Sequence, residues 1–259
     1  MNYDTLRIAL THEDSQQSHE PLLSFDEIRQ IAKAAVTLGV SRFEIAGGEP
    51  LEREDIPILL MMLSSLTIVQ DMTLTTNGIL LPRWAKSIRG AGIRRVTVRL
   101  DTFDPVRYRM LTGGDLTAVL AGIRALMEVG FPPTTLEVRL LRGINDGEIA
   151  SLVNLTKMTG ISLRFMELTD AEADAVSPGA KLPCSEVLRL VPALQPEEDV
   201  PGVYRLSGAA GSVALIPCDA RAAGCLTLSA DGILHAHGMH IHLRGLDENR
   251  IAEAMKTMI

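Results

Sequence analysis

Cysteine is scarce in this chain: 259 residues contain three, and none lies before residue 184. So few cysteines do not make a disulfide framework, which fits a cytoplasmic location. Aromatic residues make up only 3%, which argues against a base-stacking surface. The formal net charge of −7 disfavours nucleic acid and anionic membranes as partners.

Long apolar runs are also missing. The longest, from Ile56 to Leu63, is too short to span a bilayer. The first residues lack the basic stretch and apolar stretch of a signal peptide. The 46% of hydrophobic residues nevertheless suffices for one large α/β domain, or for a main domain with an appendage.

Strand and helix patterns alternate through the first two thirds of the chain. Ser24 and Glu27 have the spacing of a capping box and predict a helix that runs to Leu38. Short links between strands and helices favour parallel strands with right-handed crossovers. The predicted strands are Leu6–Thr11, Arg42–Ala46, Met72–Thr76, Arg95–Leu100, Leu136–Leu141 and Ser162–Phe165.

The pattern changes after Glu167. We predict a loop from Asp170 to Pro183, a short helix near Cys184, four short strands between residues 203 and 237, and a final helix from Leu246. The expected domains are therefore 1–167 and a C-terminal extension, 168–259.

Seven short segments lie at characteristic intervals along the chain: residues 22–25, 47–51, 74–78, 111–113, 141–146, 163–167 and 229–232. They resemble the signatures of the radical S-adenosylmethionine (SAM) superfamily, and most closely those of the GTP 3′,8-cyclase of molybdenum-cofactor biosynthesis. Their order and spacing are similar to those of that family along nearly the whole chain. The implied fold is α/β, a partial open (β/α)6 TIM-type barrel with its active site at the C-terminal ends of the strands. The resemblance also implies that the C-terminal extension packs at the mouth of this barrel.

The resemblance implies a SAM site built around the Gly-Gly-Glu-Pro turn. In the superfamily the backbone and the carboxylate of this turn hold the SAM amino group. Arg99 stands where the family has a serine, and we expect it to pair with Glu49 or Asp101. The candidate cofactor-binding residues are Gly47, Gly48, Glu49, Pro50, Thr75, Asn77, Arg99 and Asp101.

The departures from the family are equally informative. The family holds a 4Fe–4S cluster with Cys-x3-Cys-x2-Cys after the first strand, and thiolates are needed for such a cluster. Those three positions fall here on Asp14, Ser18 and Pro21, and the positions of the family's second cluster fall on Ala220, Ala223 and His237. No 4Fe–4S cluster is therefore expected. A basic residue of the family is Glu44 here, and a carboxylate would repel a triphosphate.

A second interpretation of the C-terminal region is a zinc site. Cys218, Cys225, His235 and His237 offer two thiolates and two imidazoles, a set that suits tetrahedral zinc. The alternative is an exposed histidine-rich loop beside two ordinary cysteines, because the cysteine spacing is looser than in zinc fingers. Similarly, Glu137 and Glu167 are either acid–base groups or members of a buried salt-bridge network.

These observations lead to three expectations for function. The first is a pseudoenzyme without radical chemistry that binds a small molecule or a protein partner such as a radical enzyme. The second is an enzyme that uses SAM in non-radical transferase or lyase chemistry. The third is a zinc-binding derivative of the cyclase.

Overall fold

The protein is described by a computed structural model that covers residues 3–12, 20–66, 69–220, 225–236 and 238–258. The chain forms two compact units. The first contains Met1–Thr76, Leu80–Val96 and Ala222–Ile259, and the second contains Asn77–Ile79 and Thr97–Arg221.

The first two thirds of the chain alternate between strands and helices, as predicted. Consecutive strands pair in parallel wherever the structure gives their register. In chain order, the elements are β1 Thr5–Ala9, α1 Phe25–Thr37, β2 Arg42–Ala46, α2 Ile56–Ser64, β3 Asp71–Thr76, α3 Leu81–Gly90, β4 Arg95–Arg99, α4 Pro105–Thr112, α5 Leu116–Glu128, β5 Thr135–Arg139, α6 Ile149–Met158 and β6 Ser162–Met166.

The remaining third contains short elements. They are α7 Asp170–Val176, α8 Cys184–Leu190, β7 Gln195–Pro196, β8 Val203–Arg205, β9 Val213–Ile216, β10 Cys225–Leu228, β11 Ile233–Ala236, β12 Met239–His242 and α9 Glu248–Lys256. In the first unit the strands lie in the order β12-β11-β10-β1-β2-β3, and in the second the order is β4-β5-β6-β9-β8-β7.

Local capping explains where several helices begin. The backbone N–H of Ser24 donates to Glu27 at 2.8 Å and the backbone N–H of Glu27 donates to the Ser24 hydroxyl at 3.3 Å, which confirms the predicted capping box. Thr169 and Glu172 form a second capping box, at the start of α7. The predicted loop from Asp170 to Pro183 is therefore wrong for residues 170–176.

Each unit has its own apolar layer beneath the sheet. Alternate residues of these strands are fully buried, because successive side chains of a strand point to opposite faces and one face carries the apolar side chains. In the first unit these include Leu6, Ile8, Phe43, Ile45 and Leu74, and in the second Val98, Leu136, Val138, Leu163 and Phe165.

No single helix among the described residues has the length and apolar character of a membrane span. Helices α4 and α5, which are bent relative to each other, have this length and apolar character only when taken together, judged by length and composition alone.

Candidate functional site

The Gly-Gly-Glu-Pro turn follows β2 and packs against the backbone that follows β1. Gly47 has φ +121°, a conformation that side chains disfavour. A Cβ at Gly48 would lie 2.3 Å from the backbone oxygen of His12, and one at Gly47 would lie 2.6 Å from that of Thr11. Both positions therefore require glycine, because the neighbouring atoms belong to the backbone.

Glu49 is the buried charged group of this turn, with 6% of its surface exposed. Its Oε1 accepts hydrogen bonds from the Thr76 hydroxyl at 2.7 Å and from the Leu51 backbone N–H at 3.0 Å. Its own backbone N–H donates to the Thr11 hydroxyl at 3.0 Å. Pro50 then opens a short 3-10 turn, Pro50–Glu52. The carboxylate is thus fixed at the C-terminal end of β2.

Two neighbouring threonines at the end of β3 serve different partners. Thr75 donates to Glu44 Oε1 at 3.3 Å, whereas Thr76 donates to Glu49. Sequence reasoning selected Thr75 and missed Thr76. The Thr-Thr pair itself indicated two different roles, because successive side chains of a strand point to opposite faces and therefore meet different partners.

The remaining candidates for the SAM site belong to the second unit. The side-chain oxygen of Asn77 accepts from the Ile79 backbone N–H at 2.9 Å. Asp101, 8% exposed, receives Nε and Nη2 of Arg139 at 2.9 and 2.5 Å. Arg139 is thus a partner of Asp101, and the pairing of Arg99 with Glu49 or Asp101 stays a prediction. Arg99 lies in register with Glu137 of β5.

Asn145 organises the loop beyond β5, and sequence reasoning did not assign it a role. It is fully buried, and its amide nitrogen donates to the backbone oxygens of Asp101 and Arg139 at 2.8 and 2.7 Å. Its side-chain oxygen accepts from the Leu141 backbone N–H at 2.9 Å. One side chain therefore satisfies three backbone groups and fixes the Asp101–Arg139 pair.

Glu137 and Glu167, for which the sequence left open an acid–base role or a salt-bridge network, both have partners. Glu137 lies 3.5 Å from Nη1 of Arg164, and Glu167 accepts the backbone N–H of Cys184 at 2.9 Å. These contacts favour the salt-bridge interpretation for Glu137 and a structural role for Glu167.

Cys184 begins α8, a position that lowers the pKa of an exposed thiol. Here burial and the neighbouring Glu167 carboxylate raise its pKa to about 12. The neutral thiol therefore persists across physiological pH.

We expect iodoacetamide at pH 8 to label native Cys184 far more slowly than the partly buried Cys218, because only about one part in ten thousand of Cys184 would be thiolate. Mass spectrometry of a labelling time course measures both rates. In urea the two cysteines should label alike, and equal rates in the native protein would contradict the expected environment of Cys184.

Three of the four predicted zinc ligands, Cys218, Cys225 and His235, lie in the described part of the chain. Cys218 belongs to the second unit, whereas Cys225 and His235 belong to the first. His237 lies outside the described residues. Among the residues that the structure does describe, no three His, Cys, Asp or Glu side chains are placed to share a metal ion.

Residues 7–156 match the family model described as the Radical SAM superfamily, and the chain belongs to that superfamily. It is similar to the GTP 3′,8-cyclase of Alkaliphilus oremlandii, with 38% identity over 208 residues that cover 78% of this chain and 65% of the relative. The cyclase of Acidothermus cellulolyticus is 40% identical over 186 residues, 71% of this chain and 51% of the relative. The chain thus spans less than two thirds of the length of these relatives.

Solved structures confirm the predicted fold class, an α/β fold of the partial TIM-barrel type. Streptococcus suis SuiB has a TM-score of 0.65 at 16% identity, over 89% of this chain and 59% of that one. The structure of SuiB bound to S-adenosylmethionine gives 0.66 at 17% identity, over the same shares of both chains.

The comparisons correct two predictions. The predicted pseudoenzyme, with its non-radical and zinc-binding alternatives, is contradicted because relatives at 35–40% identity are named as enzymes, GTP 3′,8-cyclases. The predicted cofactors, SAM or zinc without a 4Fe–4S cluster, are contradicted because the chain belongs to a superfamily that uses SAM together with such clusters.

The loop that carries the cluster ligands elsewhere in the superfamily does not fit a cluster in this chain. Residues 11–21 contain no cysteine, and Cys184, Cys218 and Cys225 all lie far along the chain. Thiolates are the ligands that such clusters need. A cluster used by this protein would therefore take its thiolates from outside this loop.

Proposed function

We propose that this protein is a SAM-binding enzyme that holds the cofactor at the C-terminal ends of β1, β2 and β3. The observation that carries the proposal is the buried Glu49 carboxylate, fixed by Thr76 and by the Leu51 backbone N–H. A fixed, buried carboxylate suits the ammonium group of SAM because a charged hydrogen bond in a desolvated site is a strong one. When bound, SAM supplies a sulfonium group whose carbon–sulfur bonds are open to cleavage.

The turn supports Glu49 through its backbone. Gly47 and Gly48 bring the chain against Thr11 and His12, and the Glu49 N–H is fixed by the Thr11 hydroxyl. The carboxylate is therefore preorganised, which lowers the entropic cost of binding. Asn77, Arg99 and Asp101 lie in the second unit, and their assignment to the ligand stays a prediction.

The enzyme class is supported by the named relatives, which are cyclases. The cyclase reaction itself is not carried over to this chain, because the chain covers 65% or less of the length of those relatives. The proposal is therefore SAM binding by an enzyme of this superfamily.

Glu49→Gln tests the proposal. Glutamine keeps an oxygen that accepts from Thr76 and Leu51 but removes the charge that attracts the ammonium group. We expect the Kd for SAM, measured by calorimetric titration, to rise by about tenfold or more, the equivalent of about 1.4 kcal/mol.

Glu52→Gln is the matched control, because Glu52 lies in the same turn but is exposed. It should bind SAM as the unaltered protein does. Failure of the unaltered protein to bind SAM would overturn the proposed function, and equal Kd values for the two variants would exclude Glu49 as the anchor.

A further inference from the structure

Helix α4 carries an exposed patch in which two large apolar side chains lie beside a cation. Val106 is 69% exposed and Met110 is 80% exposed. Arg109 is exposed as well, and it shares their face because residues three and four positions apart on a helix are neighbours. We call Val106, Arg109 and Met110 the α4 patch. The helix packs on the protein through Tyr108, its buried residue, so the α4 patch faces solvent.

The Arg109 guanidinium is available to a partner. Its neighbour Arg107 is already paired with Glu148 at 2.9 Å. Arg109, by contrast, forms no ion pair and no side-chain hydrogen bond with the residues that the structure describes. Exposed apolar surface rimmed by polar side chains is a mark of protein interaction sites. The α4 patch therefore fits a partner surface that presents an apolar side chain next to a carboxylate.

The turn between β7 and β8 presents this combination. Glu198 and Asp199 are exposed, and neither carboxylate forms an ion pair within the described part of the chain. Val200, the next residue, is 47% exposed. The preceding Glu197 is held by Arg205 at 2.6 Å, so its charge is already neutralised. We call Glu198, Asp199 and Val200 the turn patch, which complements the α4 patch in charge and shares its apolar character.

The two patches lie in the same unit but at opposite edges of its strands. The order β4-β5-β6-β9-β8-β7 places β4, which leads into α4, at one edge and the β7–β8 pair at the other. Four strand spacings of about 4.8 Å separate β4 from β8, which makes roughly 19 Å along the sheet. The α4 patch of one molecule can therefore meet the turn patch only of another molecule.

Both patches also lie at the same end of these strands. Helix α4 follows the carboxyl end of β4. The turn patch precedes Gly202, whose backbone oxygen accepts from the Leu215 N–H near the carboxyl end of β9. Strands β4, β5, β6 and β9 run parallel. Two copies that face each other at this end can therefore exchange both contacts at once.

We propose that two copies of this chain form a two-fold dimer in which the α4 patch of each copy binds the turn patch of the other. The symmetry axis exchanges the two contacts, so the dimer is closed and all four patches are covered. Val200 of one copy packs on Val106 and Met110 of the other, and Asp199 pairs with Arg109. The dimer does not depend on SAM, because none of these residues belongs to the proposed cofactor site.

Charge reversal tests the dimer. Sedimentation velocity of the full chain at about 100 μM, which is about tenfold above a Kd of about 10 μM, should give twice the mass of one chain. Arg109→Glu and Asp199→Arg each bring like charges together in both contacts, and each variant alone should raise the dimer Kd by about tenfold or more. An equimolar mixture of the two variants should dimerise as the unaltered protein does. In the mixed dimer one contact joins the two introduced charges, which are opposite, and the other joins the original Arg109 and Asp199.

Arg124→Glu is the matched control, because Arg124 is an exposed arginine of α5 that lies outside both patches and forms no ion pair within the described residues. It should dimerise as the unaltered protein does. An unaltered protein that stays monomeric, a dimer that both single variants leave unchanged, or a mixture that stays monomeric would each overturn the proposed contact. Unchanged far-ultraviolet circular dichroism of each variant shows that loss of the dimer is not loss of the fold.

Discussion

Asn145→Ala is expected to lower the free energy of unfolding by about 3 kcal/mol, because each buried polar group left without a partner costs roughly 1–3 kcal/mol. The variant removes the partners of three backbone groups: the carbonyls of Asp101 and Arg139 and the N–H of Leu141. Asn145 is fully buried, so its neighbours cannot simply turn to bulk water. Urea denaturation followed by circular dichroism measures the change.

Asn154→Ala is the control for this prediction. Asn154 is exposed on α6, and alanine has the higher helix propensity, so the control should unfold at the same or a slightly higher urea concentration. If the two variants had equal stability, the network around Asn145 would not contribute as the hydrogen bonds indicate.

Gly48→Ala is expected to destabilise the protein by about 2 kcal/mol or more and to weaken SAM binding, because inserting a methyl group into a closely packed site typically costs roughly 1–3 kcal/mol. The new Cβ would lie 2.3 Å from the backbone oxygen of His12, and a backbone atom cannot move aside as a flexible side chain does. The shift would displace Glu49, the next residue. Thermal unfolding and calorimetric titration with SAM measure the two effects.

Gly90→Ala is the matched control for the same substitution. Gly90 ends α3 and is exposed, and a Cβ added there would meet no neighbouring atom within 4 Å. Alanine at this position should leave stability unchanged or raise it by roughly 0.5–1 kcal/mol. Equal losses in both variants would show that the close approach of Gly48 to His12 is not what the substitution disturbs.

The sequence predicted the repeating part of the fold because that part depends on local patterns. Runs of Val, Ile and Leu between glycines identify strands without any knowledge of their partners, and β2 was predicted with its observed bounds, Arg42–Ala46. The helix that the sequence did not predict, α4, also has a local explanation. The helix α4 depends on Asp104, whose side chain caps it, and a helix of eight residues gives little periodic signal.

The candidate site could be located from the sequence but not assembled from it. The Gly-Gly-Glu-Pro motif identified Glu49, yet the hydroxyl that holds its carboxylate comes from Thr76, 27 residues away. Likewise Asp101 was selected, but its partner Arg139 is 38 residues away. Such pairings depend on strand register, which spacing along the chain does not determine.

The close packing of Gly48 on His12 also bears on protein engineering. The ring nitrogen Nε2 of His12 lies 2.9 Å from the backbone oxygen of Glu20, and Arg244 donates to the backbone oxygens of Pro21 and Leu22. The backbone oxygens of residues 20–22 are thus held by two side chains from other parts of the first unit, the imidazole of His12 and the guanidinium of Arg244. A designer who varies the side chains of residues 20–22 should therefore retain His12 and Arg244, because the hydrogen bonds that these two residues make with this stretch use only its backbone.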